Sequence, residues 1–165
     1  MMLSVGRVVA RAFWGSRRQS VDDGVAAIIS TLSGLRALDE RHYSRWFELG
    51  KSRKDALRRE ITVEPMSIKA RLTQNREGGR VFEELGYTFA AWNGATEDDE
   101  ALSFSCNFST TSQWVTNRVV FGLPPAWEQD LERARRALDL VVRVWRPERA
   151  NVWNNDRVDL VVADL

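Results

Sequence analysis

At 165 residues, with 44% hydrophobic residues, 28% charged residues and a formal net charge of +1, the chain has the composition of one ordinary globular domain and is too short for two. Low-complexity disorder and internal repeats are excluded, and apolar runs such as VAAII and LDLVV fall far short of the about 20 residues that cross a bilayer. One cysteine, Cys106, and one histidine, His42, leave neither an internal disulfide nor enough soft ligands for a protein zinc site, so no metal and no cofactor is expected.

The opening MMLSVGRVVARAFW has no apolar core of signal-peptide length. Its lack of acids before Asp22 touches on an organelle presequence, but Val8, Val9, Phe13 and Trp14 fit better with SVGRVVARAFW, from residue 4, as a first strand ending near Gly15. Ser20-Val21-Asp22-Asp23 then reads as an N-cap with acid in the first turn, and Val21, Val25, Ile28, Ile29, Leu32 and Leu35 recur at helical spacing, which predicts a helix over 20–38. HYSRWFELG predicts a strand over 43–49, and the basic KSRKDALRR at 51–59 a short exposed helix or turn. Pro65 starts a further helix to about residue 76, before the Gly78-Gly79 break.

From residue 81 the pattern turns to strands. VFEELG predicts one helical turn stopped by Gly86, YTFAAW a strand, and Asn93-Gly94 a chain reversal, since both residues tolerate positive φ. ALSFSCNFS alternates, with Leu102, Phe104, Cys106 and Phe108 on one face and Ser103, Ser105, Asn107 and Ser109 on the other. WVTNRVVFGL alternates likewise, so an antiparallel meander is expected. After Pro124-Pro125, the stripe Trp127, Leu131, Ala134, Leu138, Val141, Val142 and Trp145 predicts an amphipathic helix with early acids, a late Arg143 and a stop at Pro147. RANVW and RVDLVVADL are two closing strand candidates, the last of them suited to a sheet edge. The fold class expected is α+β, an antiparallel sheet of about five or six strands with helices packed on one face.

Charge is unevenly spread. Residues 1–80 carry 16 Lys/Arg against 9 Asp/Glu, and residues 81–165 carry 8 against 14. Between Arg80 and Arg118 six acids meet no base: Glu83, Glu84, Glu97, Asp98, Asp99 and Glu100. Such a block predicts a local negative field that steers a basic partner. The inventory for catalysis is thin, with no Gly-rich phosphate loop and no metalloprotease or nucleophile-elbow motif. Cys106 shares its face with phenylalanines and reads as a small hydrophobe, which leaves no catalytic residue to name. The run Glu97–Glu100 is either a solvated loop or a recognition surface. Trp92 and Trp114, at strand ends beside polar loops, either fold inward or anchor an interface.

The ordered set RAFWGSRRQSVDD, SRWFELGKSRKDAL, ELGYTFAAWNG, RVVFGLP and RVWRPERANVW resembles the immunity protein 52 family of bacterial polymorphic toxin systems over about residues 7–153, with the family's Trp-x-Gly mark at Trp92-Asn93-Gly94. The resemblance implies an α+β inhibitor of a cognate toxin, often a nuclease of restriction-endonuclease-like type, acting in the cytoplasm without catalytic residues, cofactor, direct nucleic-acid contact or membrane. The toxin-binding residues expected are Trp92, Asn93, Glu97, Asp98, Asp99, Glu100 and Trp114. The acids would imitate a phosphate backbone. A rival interface is the polar strand face of Ser103, Ser105, Asn107 and Ser109, and the rival classes are a small nucleic-acid-binding domain using KSRKDALRR or a hydrolase using the acids of residues 97–100.

Overall fold

A computed structural model describes residues 8–165, so the Ser4–Arg7 portion of the expected first strand, and most of the presequence reading, lie outside the described residues. Strand β1 (Val8–Trp14) buries Val8, Ala10, Ala12 and Trp14 on one face. Helix α1 (Val21–Leu38) starts where Ser20 Oγ accepts the Asp23 amide at 3.0 Å, with Asp22 and Asp23 in its first turn, as its sequence predicts. It lies so close to the sheet that a Cβ on Gly24 would fall 2.1 Å from Phe108 Cε2.

The next segment departs from expectation. Asp39 accepts the His42 amide at 3.2 Å and meets His42 Nδ1 at 2.8 Å, which draws Glu40–Tyr43 into the short helix α2. Strand β2 therefore shrinks from the expected 43–49 to Trp46–Phe47. Helix α3 (Arg53–Ala56) is the short turn expected of the basic stretch, and β3 (Glu60–Ile61) pairs with β2. Helix α4 (Pro65–Ala70) starts at its proline but stops six residues early. The chain beyond is taken into β4 (Thr73–Gln74), which pairs with β7 (Tyr87–Trp92), while Asn75 Nδ2 donates to Leu85 O at 2.7 Å. Sheet pairing and that side-chain bond outweigh local helix propensity. Between them lie the hairpin β5 (Arg76–Glu77) and β6 (Arg80–Val81), and a 3₁₀ turn at Glu83–Leu85 that Gly86 ends.

Strands β7, β8 (Ser103–Phe108) and β9 (Asn117–Leu123) form the expected antiparallel meander. The closing helix α5 (Leu131–Trp145) begins later than its stripe predicts. Trp127 sits in a separate 3₁₀ turn, Pro125–Glu128, because the Asp130 carboxylate caps Arg133 N and sets the helix start there. Leu131 is consequently 42% exposed rather than on the buried stripe. Arg17 caps the other end, donating to Trp145 O and Arg146 O at 2.6 and 2.7 Å. β10 (Arg149–Asn154) and β11 (Asp159–Val162) complete the sheet.

The order is β11-β10-β1-β9-β8-β7-β2-β3, with β4 also on β7, and every pairing is antiparallel. That makes nine strands in the main sheet among the described residues, more than five or six, because β3 and β4 contribute two residues each and leave no alternation to read. Strand β11 occupies an edge as expected. Helices α1 and α5 cover one face over a core that includes Trp14, Phe104, Phe108 and Trp145, and Trp145 Nε1 donates to Thr31 Oγ1 at 2.8 Å. The opposite face carries a second, small cluster of Phe47, Ala56 and Trp92 at one end, and among the described residues no long helix covers the rest.

Candidate functional site

The Trp-Asn-Gly run builds a loop from the inside. Trp92 has 0% exposure, on the face opposite the long helices, its ring centroid 6.3 Å from that of Phe47. It braces the turn and presents no ring surface to a partner. Asn93 uses its whole amide: Nδ2 donates to His42 O at 3.0 Å and Glu100 O at 2.9 Å, while Oδ1 accepts from Ala95 N at 3.3 Å and Leu102 N at 3.0 Å. Gly94 holds φ at +76°, and a Cβ there would lie 2.3 Å from Phe47 Cε2. The reversal is thus a long connection between Trp92 and Ser103, closed by the bond from Asn93 N to Leu102 O at 3.0 Å, rather than a two-residue turn.

The acids at the tip are partly answered by the chain's own bases. Arg53 donates to Asp98 and to Thr96 O, and Arg41 pairs with Glu100. Both arginines come from the positive first half of the chain, so the two halves of opposite sign meet at this corner. Exposed pairs of this kind add little stability, but they cancel much of the field that the sequence predicts. Among the described residues no ion pair engages Glu97 or Asp99. A concavity of about 310 Å³ beside them is lined by bases as well as acids, Arg41 and Arg45 with Glu97 and Glu100.

The basic stretch is likewise partly occupied: Arg53 as above, and Arg59 with Asp55 at 3.5 Å. Cys106 is buried, and loss of solvent pushes its thiol up to about 12, opposed only by a backbone hydrogen bond at Phe89. His42 is held by Asp39. Among the described residues no group of three or more His, Cys, Asp and Glu side chains is placed to hold a metal ion.

Trp114 is 85% exposed, in the loop between β8 and β9. That loop leaves the opposite end of β8 from the acids. Six residues of strand put about 20 Å between them, so the seven expected contact residues do not form one patch. The polar face of β8 is also shorter than its alternation suggests. Ser103 and Ser105 are half-buried on the side opposite the long helices, and Asn107 is 6% exposed, bonded to Asn75 and Thr88. Ser109 leaves the strand at φ +61° and locks the loop, its hydroxyl donating to Gln19 O and accepting from Gln19 N.

Residues not expected at a site share that uncovered face. Cross-strand register aligns Arg118, Phe13 and Arg149 in one row, and Val120, Arg11 and Asn151 in the next. The Arg11 guanidinium lies 3.3 Å from the Trp153 ring centre and donates through Nε to Asn151 Oδ1 at 2.9 Å. Burial against the sheet lowers its pKa from the usual arginine value, with Asp159 opposing and Arg149 adding to the shift. The signal was available in the alternation of β1 and β10, whose other faces supply the core.

Fold and site together define an α+β protein, one antiparallel sheet with its two long helices on one face and the short α3 at one end of the other, whose conspicuous side chains serve packing, loop scaffolding and charged surface contacts. No helix among the described residues is long and apolar enough to cross a membrane. No curated protein matches the chain. The family description Immunity protein 52 matches residues 8–163, and the chain belongs to that family.

Proposed function

We propose that this chain binds and neutralises a cognate bacterial toxin, a nuclease of restriction-endonuclease-like type exchanged between competing cells, by occupying its surface in the cytoplasm as a single domain. The observation that carries the reading is the family match over residues 8–163, nearly the whole chain. Inhibition by occupation asks for no catalytic group, and it suits a scaffold whose cysteine is buried and whose histidine is tied to Asp39.

Within this reading the acidic corner acts at encounter. Glu97 and Asp99 face solvent without an ion pair among the described residues, and a nuclease holds its nucleic acid through basic groups that such carboxylates attract. Co-expression with the toxin encoded by the neighbouring gene tests the function: survival is expected with this chain and death without it, and death in both cultures refutes the reading. For the corner, E97K/D99K is expected to slow association with an inactive form of that toxin about tenfold at low salt and far less at high salt. An unchanged rate at low salt removes the corner from the mechanism.

A further inference from the structure

We infer that the uncovered sheet face beside Trp114 is the surface that holds the partner, and that it takes an acidic segment of the toxin, with a carboxylate between Arg118 and Arg149. This rests on the toxin-binding reading and adds the site and the chemistry of what enters it.

Arg118 on β9 and Arg149 on β10 flank Phe13 of β1, each its direct cross-strand neighbour. Strands spaced about 4.8 Å apart place the two arginine backbones about 10 Å from one another, and both long side chains reach a group seated over Phe13. The Arg149 guanidinium already lies 5.3 Å from the Phe13 ring centre. Neither arginine has an ion pair among the described residues. The acid next in sequence, Glu148, accepts the Gly15 amide at 2.9 Å.

Together with Trp114, Asn107 and Thr88 these residues line a depression of about 480 Å³ with no carboxylate in its wall. In a chain with 23 acids, two unpaired arginines around an acid-free hollow are complementary to negative charge. Asn107 forms part of the floor of this depression. The residue is 6% exposed, and its Nδ2 is buried without a hydrogen-bond acceptor.

The surroundings fit a protein partner. Ala90, Ser103, Ser105 and Val120 make a floor of small, half-buried side chains, bordered by Phe13 and by Trp153 under Arg11. Trp114 stands at its end with 85% of its surface exposed. Tryptophan and arginine are the side chains that most often carry the binding energy of a protein interface. The acidic corner lies at the far end of β8, so one toxin of ordinary interface size can be met by both.

The experiment measures binding kinetics against an inactive form of the neighbouring-gene toxin. R118E/R149E is expected to weaken binding more than 100-fold and W114A about tenfold, while R135E/R136E, the same charge change on the outer side of α5, stays within about threefold. W114A alters only an exposed side chain and decides the matter if the arginine double variant fails to fold, as judged by circular dichroism. Parent-like binding by R118E/R149E, or by W114A in that event, overturns the inference while leaving toxin binding intact. Equal losses in the two arginine pairs overturn it as well, since bulk charge then suffices. If the parent itself does not bind the toxin, the functional reading falls and this inference with it. Salt-dependent retention of a 20-nucleotide single strand by the parent, abolished in R118E/R149E, makes the occupant a nucleic acid and also overturns it.

Discussion

Replacing Gly94 with alanine separates two costs that the loop places on one residue. The backbone stands at φ +76°, where an L side chain loses about 1–2 kcal/mol. The added methyl would also lie 2.3 and 2.6 Å from Phe47 Cε2 and Cδ2, well inside contact distance. Phe47 can yield only by leaving Trp92 and Ala56, its partners in the small cluster on the face opposite the long helices, and overpacking of this kind costs about 1–3 kcal/mol. G94A is therefore expected to lose about 2–5 kcal/mol, a fall in Tm of about 10 °C for a chain of this length. Gly79 supplies the control: its φ is +77°, and a Cβ there meets nothing within 4 Å. G79A should show the backbone share alone, about 1–2 kcal/mol. Urea denaturation of both variants, repeated for G94A in an F47A background, closes a double-mutant cycle. Without the phenyl ring, G94A should cost no more than G79A. Equal penalties for G94A and G79A in the parent, or an undiminished G94A penalty in F47A, refute the account in which Gly94 exists to admit Phe47.

Two further variants examine neighbouring features. N93D turns the two donors that face His42 O and Glu100 O into a carboxylate pressed against carbonyl oxygens, so a loss of about 2–4 kcal/mol is expected at pH 7 and a smaller one at pH 5, where protonation restores one donor. Urea midpoints at both pH values check this, and a pH-independent loss speaks against it. For Cys106, burial raises the thiol from an ordinary value near 9.0 to about 12, so the native protein binds the proton more tightly than the unfolded chain. Stability from this group is whole below pH 9 and declines from there towards pH 12, and C106A should flatten that decline. At pH 8 a thiol reagent should label native protein only as fast as it unfolds, and rapid labelling without denaturant would contradict the burial.

Local signals in the chain specified the elements whose information is local. Ser20 with Asp22 and Asp23 marked the start of α1, Gly86 the end of a helical turn, and the alternation of Phe104, Cys106 and Phe108 the core face of β8. The two-residue strands β3 and β4 left no such trace, and β2 is far shorter than its aromatic run suggests, because two residues carry no period and the pairing depends on β7, and for β3 on β2, arriving alongside. The site divided along the same line. That Trp92-Asn93-Gly94 shape a reversal was legible, since asparagine and glycine tolerate positive φ. That Trp92 is wholly buried was not, because its cover, Phe47 and Ala56, comes from a segment some 40 residues earlier.

By itself the sequence determined an α+β chain of the immunity family, its long strands and helices, a cysteine in the core and a run of acids at a loop tip. Only the tertiary structure decided that Asp98 and Glu100 meet Arg53 and Arg41, that Trp114 lies at the other end of the meander from those acids, and that Arg118, Phe13 and Arg149 share a row. The physical reason is that propensity and hydrophobic period act between residues close in the chain. Charge pairing and cross-strand register act between residues close in space, and they exist only once the sheet has closed.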